Sequence, residues 1–339
     1  MPIKIRNKSL DIPIIQGAMA IGISNGNLAG AVANRGGIGT LSMVNPGYNE
    51  KDFYENPIEA NKKAFVKEVK VAREKSRGRG LILTNLMNVV EHKEEYLKFL
   101  NTMDIDGVIM GAGLPMDLPK YISKDKLIAP IVSSKRALKL IMKKWQNLNR
   151  KPDLVVFEGP EAGGHLGFKE DNLDIDMFSE LKNILEFVDR IPVFIGGGFG
   201  TVEKVKEALL HGATGVQIGT GFLFTKESGL DLNAKKEILE NKNKYKNIIL
   251  KSPVGLPARG LLNSFVEKAK EINIPPKRCM ACIKTCKRAN TNYCINEALI
   301  NAVRGNLDEG LFFSGTDIKN IDKVRTVDEY IDYLRSAYE

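Results

Sequence analysis

The chain has 339 residues, 43% hydrophobic and 27% charged, with a formal net charge of +9. That balance belongs to a folded globular protein of one large or two ordinary domains. No apolar run reaches the roughly 18 residues of a membrane span, and the first residues lack the apolar stretch of a signal peptide, so a cytoplasmic location is expected.

The positive charge is dispersed. Lysine pairs such as Lys62-Lys63, Lys143-Lys144 and Lys235-Lys236 sit on helical surfaces and form no basic stripe. A nucleic-acid or membrane partner is therefore not expected; a small-molecule substrate is, and a homodimer stays a candidate assembly.

In chain order, short apolar runs occur at residues 12–16, 37–41, 81–86, 107–110, 127–132, 154–157, 193–195 and 215–218. Helical patterns lie between them, among others at 58–75, 134–148, 178–188 and 202–210. The runs are continuously apolar, as strands are when helices cover a parallel sheet. Eight strands, each followed by a helix, predict an α/β fold: a closed (β/α)8 TIM barrel over residues 1–227. An open doubly wound sheet is the rival for the same alternation.

Residues 228–339 break this rhythm. A lysine-rich helix is expected over 231–244, a loop over 254–260, and a mostly helical appendage packed on the barrel for the segment as a whole. All four cysteines fall here, spaced Cys279-x2-Cys282-x3-Cys286-x7-Cys294. Thiols so concentrated in a cytosolic chain suggest thiolate ligation of zinc or a [4Fe–4S] cluster; free, part-buried thiols are the alternative.

A barrel of this kind binds its ligand at the C-terminal ends of its strands. Polar residues and glycines gather there. Gln16-Gly17-Ala18-Met19 follows the first strand and Asn85 ends the third. Glu158-Gly159-Pro160-Glu161-Ala162-Gly163-Gly164-His165 follows the sixth, Gly196-Gly197-Gly198 the seventh, and Gly219-Thr220 the eighth. The last two turns fall where barrels commonly hold a phosphate on backbone N–H groups. A phosphate site alone does not separate flavin mononucleotide from a sugar phosphate, so a flavin-free lyase or isomerase is a reading of another class.

Of three histidines, His92 lies in a charged helical stretch and His211 at a helix end. His165 alone follows a strand at the rim, where an imidazole can exchange protons near neutral pH. Met19, Met87, Met110 and Met116 are candidates either for a cavity wall or for core filling. Arg259 is a candidate contact for an anion or an ordinary surface residue.

Several of these segments together resemble a known family. They are Pro13-Ile14-Ile15-Gln16-Gly17-Ala18-Met19, Gly36-Gly37-Ile38-Gly39, Thr84-Asn85-Leu86-Met87, the 158–165 segment, Gly196-Gly197-Gly198, and the run from Gly212 to Thr220. The chain is similar to the nitronate monooxygenase family of FMN-dependent barrels, which also includes flavin-dependent enoyl-ACP reductases. The resemblance implies an FMN-dependent oxidoreductase that oxidises alkyl nitronates with dioxygen. The alternative it implies is an NAD(P)H-dependent reductase of enoyl thioesters or quinones.

The resemblance also implies residue roles. Gly17, Ala18 and Met19 would line the flavin ring, Asn85 would hydrogen-bond to it, and Glu158 and Gly163 would contact it. Gly197, Gly198, Gln217, Ile218, Gly219 and Thr220 would hold the ribityl phosphate, and His165 matches the family's active-site histidine. One residue departs from the pattern: nitronate-oxidising members often carry Gln where this chain has Glu158, and the reductase-like branch more often has Glu.

Overall fold

Eight parallel strands close into a barrel in the computed structural model, which describes residues 3–339 apart from 288 and 290. A short antiparallel hairpin, β1 (Ile3–Ile5) and β2 (Lys8–Leu10), comes first. The barrel then runs through β3 (Ile14–Gln16), β4 (Ile38–Ser42), β5 (Leu81–Met87), β6 (Gly107–Gly111), β7 (Leu127–Val132) and β8 (Val155–Glu158). A two-residue strand, β9 (Gly164–His165), lies outside it, and β10 (Val193–Gly196) and β11 (Gly215–Ile218) complete the ring. Closure occurs where β11 pairs with β3, Val216 opposite Ile14. The expected TIM barrel is the observed fold, and each of the eight apolar runs supplies one of its strands.

Helices α1 (Gly26–Asn34), α2 (Pro57–Ser76), α3 (Lys93–Thr102), α4 (Lys135–Gln146), α5 (Met177–Val188) and α6 (Val202–Leu210) pack outside the strands. Burial splits into layers. Ile15, Leu83, Ile109, Ala129, Val156 and Phe194 fill the barrel interior, closed from below by Ile5 and Leu10 of the hairpin. Val108, Ile128, Val155 and Val193 face outward against Leu97, Leu138, Trp145 and Leu181 of the helices.

Sequence periodicity misses α1, whose small residues carry little amphipathic signal. Asn25 caps it by accepting the Leu28 N–H, and its glycines and alanines let it lie close to the sheet. A Cβ on Gly39 of β4 would stand 1.9 Å from the Ala29 carbonyl oxygen, so only glycine fits there. Gly39→Ala is expected to destabilise the protein by about 1–3 kcal/mol, read as a lower urea midpoint at unchanged slope.

After β11 the chain makes one helical turn, α7 (Thr220–Leu223), and then leaves the ring. It forms α8 (Leu232–Glu240), a hairpin of β12 (Asn247–Lys251) and β13 (Pro257–Leu261), α9 (Ser264–Glu271) and α10 (Ile295–Val303). The final helix, α11 (Val327–Arg335), returns to the barrel wall beside α1 and α6, and Arg35, which caps the end of α1, pairs with Asp332. The loop expected at 254–260 is therefore half strand. β13 lies between β12 and β9, and the side-chain pattern Pro-Ala-Arg-Gly-Leu carries no β signature to announce it. Among the described residues no helix is long and apolar enough to cross a membrane.

Candidate active site

Strand alternation determines which side chains reach the barrel mouth. Along β5, Leu81 and Leu83 point inward, so Asn85 does too; along β8, Leu154 and Val156 bring Glu158 to the same face. Glu158 is the register partner of Gly196, and Gly196 of Gln217. Gly196 has no side chain, and the Gln217 side chain lies against it: a Cβ there would meet Gln217 Cβ at 3.4 Å and Nε2 at 3.7 Å. Asn85, Glu158 and Gln217 all line one cavity of about 220 Å³, far beyond an ordinary packing void.

The first strand end is built differently. Gln16 is fully buried, its Nε2 donating to the Gly17 carbonyl at 2.6 Å and to Ser24 Oγ at 2.9 Å, while its Oε1 accepts the Thr40 N–H at 2.9 Å. Ser24 Oγ also accepts the Met19 N–H at 2.8 Å. Gln16 thus holds the Gly17-Ala18-Met19 turn in place, and those three residues form part of the cavity wall.

The loop from Gly159 to His165 lies across the mouth. Arg259 of β13 donates from Nε and Nη2 to the Pro160 carbonyl at 3.1 and 2.9 Å, and from Nη1 to Asn247 at 3.0 Å. Its guanidinium is spent on fixing this loop and is not among the groups that line the cavity. Gly163 is a glycine because the appendage needs the room: a Cβ there would stand 2.5 Å from the Gly315 nitrogen. His165 then pairs with Ala258, stacks edge-on against Phe313 with ring centroids 5.2 Å apart, and places Nε2 2.7 Å from Ser252 Oγ.

Burial acts in opposite directions on the two titratable groups here. Desolvation pushes the Glu158 carboxyl up to about 7 and the His165 imidazole down to about 4, each by disfavouring its charged form. At neutral pH the imidazole is uncharged and the carboxyl is divided between its two forms.

At the last two strand ends, the N–H groups of Gly197, Gly198 and Gly219 find no acceptor within the described chain, and a Cβ on Gly219 would meet nothing within 4 Å. Thr220 Oγ1 accepts the Gly315 N–H at 2.8 Å, and Asp317 accepts the Gly200 N–H at 2.8 Å. Glu161 turns its carboxylate to the Thr316 hydroxyl at 2.6 Å. Gly197, Gly198, Ile218, Gly219, Thr220, Gly163 and His165 all line the same cavity as Asn85, Glu158 and Gln217. The structure therefore brings every flavin-contact and catalytic candidate of the sequence to one place.

Sequence reasoning missed the appendage's share: Ser252, Phe313, Ser314, Gly315 and Asp317. A signal existed in Leu311-Phe312-Phe313-Ser314-Gly315, an apolar run ending in glycine like the barrel strands.

Metal ligation by the cysteines is not shown. Among the described residues no group of three or more His, Cys, Asp or Glu side chains is arranged to hold a metal ion, and all four thiols are unbridged. Cys279 is exposed; burial, and then the neighbouring Cys294, Cys279 and Cys286, push the Cys282 thiol up to about 12, and burial raises that of Cys294. Cys282 instead contributes to the cavity wall, and its backbone carbonyl accepts the Glu91 N–H, tying the cysteine segment to the loop after β5. Of the methionines, Met19 and Met87 line the cavity, Met110 is core, and Met116 packs at the core's edge.

Residues 4–336 match the nitronate monooxygenase family. The chain belongs to that family. A probable nitronate monooxygenase of Bacillus subtilis is 30% identical over 282 residues, covering 78% of this chain and 80% of that protein. Another, from Staphylococcus aureus strain Newman, is 26% identical over 293 residues, covering 78% and 79%. Among solved structures, FabK from Thermotoga maritima aligns with TM-score 0.72 at 23% identity, over 97% of this chain and 93% of its own. The nitroalkane oxidase of Streptomyces ansochromogenes aligns with TM-score 0.73 at 20% identity, over 97% of each chain. The structures establish the shared fold; the family match makes the protein an oxidoreductase enzyme.

Because burial depresses its pKa to about 4, the His165 ring is expected to remain neutral from pH 8 down to about 5. Nitrogen-15 NMR of the ring checks this; an imidazolium signal at pH 6 would contradict it.

Proposed function

We propose that this protein is an FMN-dependent oxidoreductase that oxidises alkyl nitronates with dioxygen. The observation carrying this reading is the convergence, on one cavity, of residues supplied by five separate strand ends. Unpaired N–H groups at Gly197, Gly198 and Gly219 and open space at Gly219 suit an anionic phosphate at the mouth. Arg259 lies near enough to Glu161 to act on it electrostatically, which offsets the carboxylate closest to that turn.

In this reading Gly197, Gly198, Gln217, Ile218, Gly219 and Thr220 hold the ribityl phosphate, and Gly17, Ala18 and Met19 flank the ring. The Asn85 amide, the Glu158 carboxyl and Gly163 make its polar and backbone contacts. Bound FMN supplies the redox chemistry, taking electrons from substrate and passing them to dioxygen. The chain's own part is binding and electrostatics. His165, neutral and fixed by Ser252 and Phe313, orients the nitro group, and the apolar wall of Met19, Met87, Val254 and Ile283 excludes water.

Among the described residues no Lys or Arg lines the cavity, whereas Glu158, Glu161 and Asp317 do, and Glu158 is the one whose charge changes near neutrality. Its carboxyl is neutral below about 7 and charged above. The kcat/KM for propyl nitronate, followed by oxygen consumption, is expected to fall as pH rises through about 7, because the ionised carboxylate repels the anion.

Glu158 also favours a second reading. A carboxyl still protonated near neutrality could deliver a proton to a reduced enoyl thioester, with NAD(P)H as co-substrate. Rapid NAD(P)H oxidation with a crotonyl thioester, together with no turnover of propyl nitronate, would replace the first reading with this one.

A further inference from the structure

The flavin roles proposed above fall on the strand ends, and none falls on α10, yet that helix supplies part of the cavity wall. Ile295, Leu299 and Ala302 line the cavity, and their i, i+4, i+7 spacing puts them on one helix face that follows the space for roughly 10 Å. Ile21 and Ile23, from the loop after β3, line it too, as do Leu223 of α7 and Leu230 beyond it. All of these side chains are aliphatic and shielded from bulk solvent.

This apolar arm joins two clusters of the core. Ile295 and Leu299 belong with Ile21 to one, and Ala302 belongs with Ile23, Leu223 and Leu230 to the other. Met19 packs against both clusters and flanks the flavin ring in the reading above, so the arm opens beside the ring. The amides that border it are turned to each other and to the protein. Asn296 Oδ1 accepts Asn45 Nδ2 at 2.6 Å, Asn45 Oδ1 accepts Asn61 Nδ2 at 3.1 Å, and Asn296 Nδ2 meets the Met280 sulfur at 3.7 Å. Such a lining favours hydrocarbon over water and offers a polar ligand little to bind.

We propose that this arm seats the hydrocarbon tail of the substrate, so that the preferred nitronate carries a straight chain well beyond propyl, and that Ala302 sets the longest tail admitted. This rests on the nitronate-oxidising reading above. The anionic head stays beside Glu158 and His165, and the tail runs along α10. Ala302 is the smallest of the three lining residues of that helix and the last of them in the chain. A larger side chain there shortens the arm without touching the flavin contacts.

The test reads binding before turnover. Straight-chain alcohols from propanol to decanol are titrated by calorimetry into the FMN-loaded protein, and affinity is expected to rise about threefold per added methylene. Ala302→Leu should lower the decanol-to-propanol affinity ratio at least about tenfold, and Ala302→Val, which adds less bulk, by about threefold. Thermal melting confirms that each variant is folded. The kcat/KM values for propyl, hexyl and decyl nitronates, followed by oxygen consumption, should rise in that order and lose the same preference in the variants. Three results overturn the proposal: an affinity independent of chain length in the wild type, an unchanged ratio in folded Ala302→Leu, or chain-dependent binding only in flavin-free protein, where the ring itself would be what fills the arm. The wild-type series decides even where a variant does not fold. The two readings fail separately. Chain-dependent alcohol binding without oxidation of any nitronate removes only the nitronate reading, and oxidation of every nitronate with equal kcat/KM removes only the arm.

Discussion

The site depends first on a parity constraint. In a closed barrel every second residue of a strand faces the interior, and the register between neighbours fixes the height of each inward side chain. The pairing of Glu158 with Gly196, and of Gly196 with Gln217, is therefore what sets a carboxyl and an amide at the mouth on either side of a glycine. A one-residue slip of β8 would exchange Glu158 for Phe157 at the mouth and replace the carboxyl with an aromatic ring. The apolar fill beneath, from Val156 and Phe194 to Leu10, holds that register by packing.

On this platform one physical effect yields two chemical characters. Removal from water disfavours charge of either sign, so it makes the imidazole a poor base and the carboxylate a good one. Among the described residues neither group has a nearby countercharge to cancel the effect. The appendage contributes to this burial: Phe313, Val254 and Ile283, from outside the barrel, line the same cavity. The rim supplies the functional groups and the cover sets their proton affinities.

The barrel was legible in the sequence because each strand is a continuous apolar run ending in a glycine or polar residue, and those endings also marked the rim. His165 stood out for the same reason. What could not be read was whatever depends on contacts between distant segments. Helix α1 was hidden by small residues whose purpose is close packing, and β13 by the pattern Pro-Ala-Arg-Gly-Leu, a strand only because β9 and β12 flank it. Arg259 and Gly163 have roles visible only in space: one clamps the loop carrying His165, and the other admits Gly315. The cysteine spacing suggested ligation, but spacing carries no information about where sulfur atoms point, and no metal-holding group is found among the described residues.

The last helix gives the cover an unusual mechanical status. Since α11 returns to lie against α1 and α6, the segment over the cavity is anchored to the wall at both its start and its finish. A covering attached at a single point can swing wide, whereas one pinned on two sides can only flex between its pins. Entry and exit of small molecules would then proceed by breathing of the span between α7 and α11, and the hydrophobic seam that locks α11 into the wall would govern how far that span can yield.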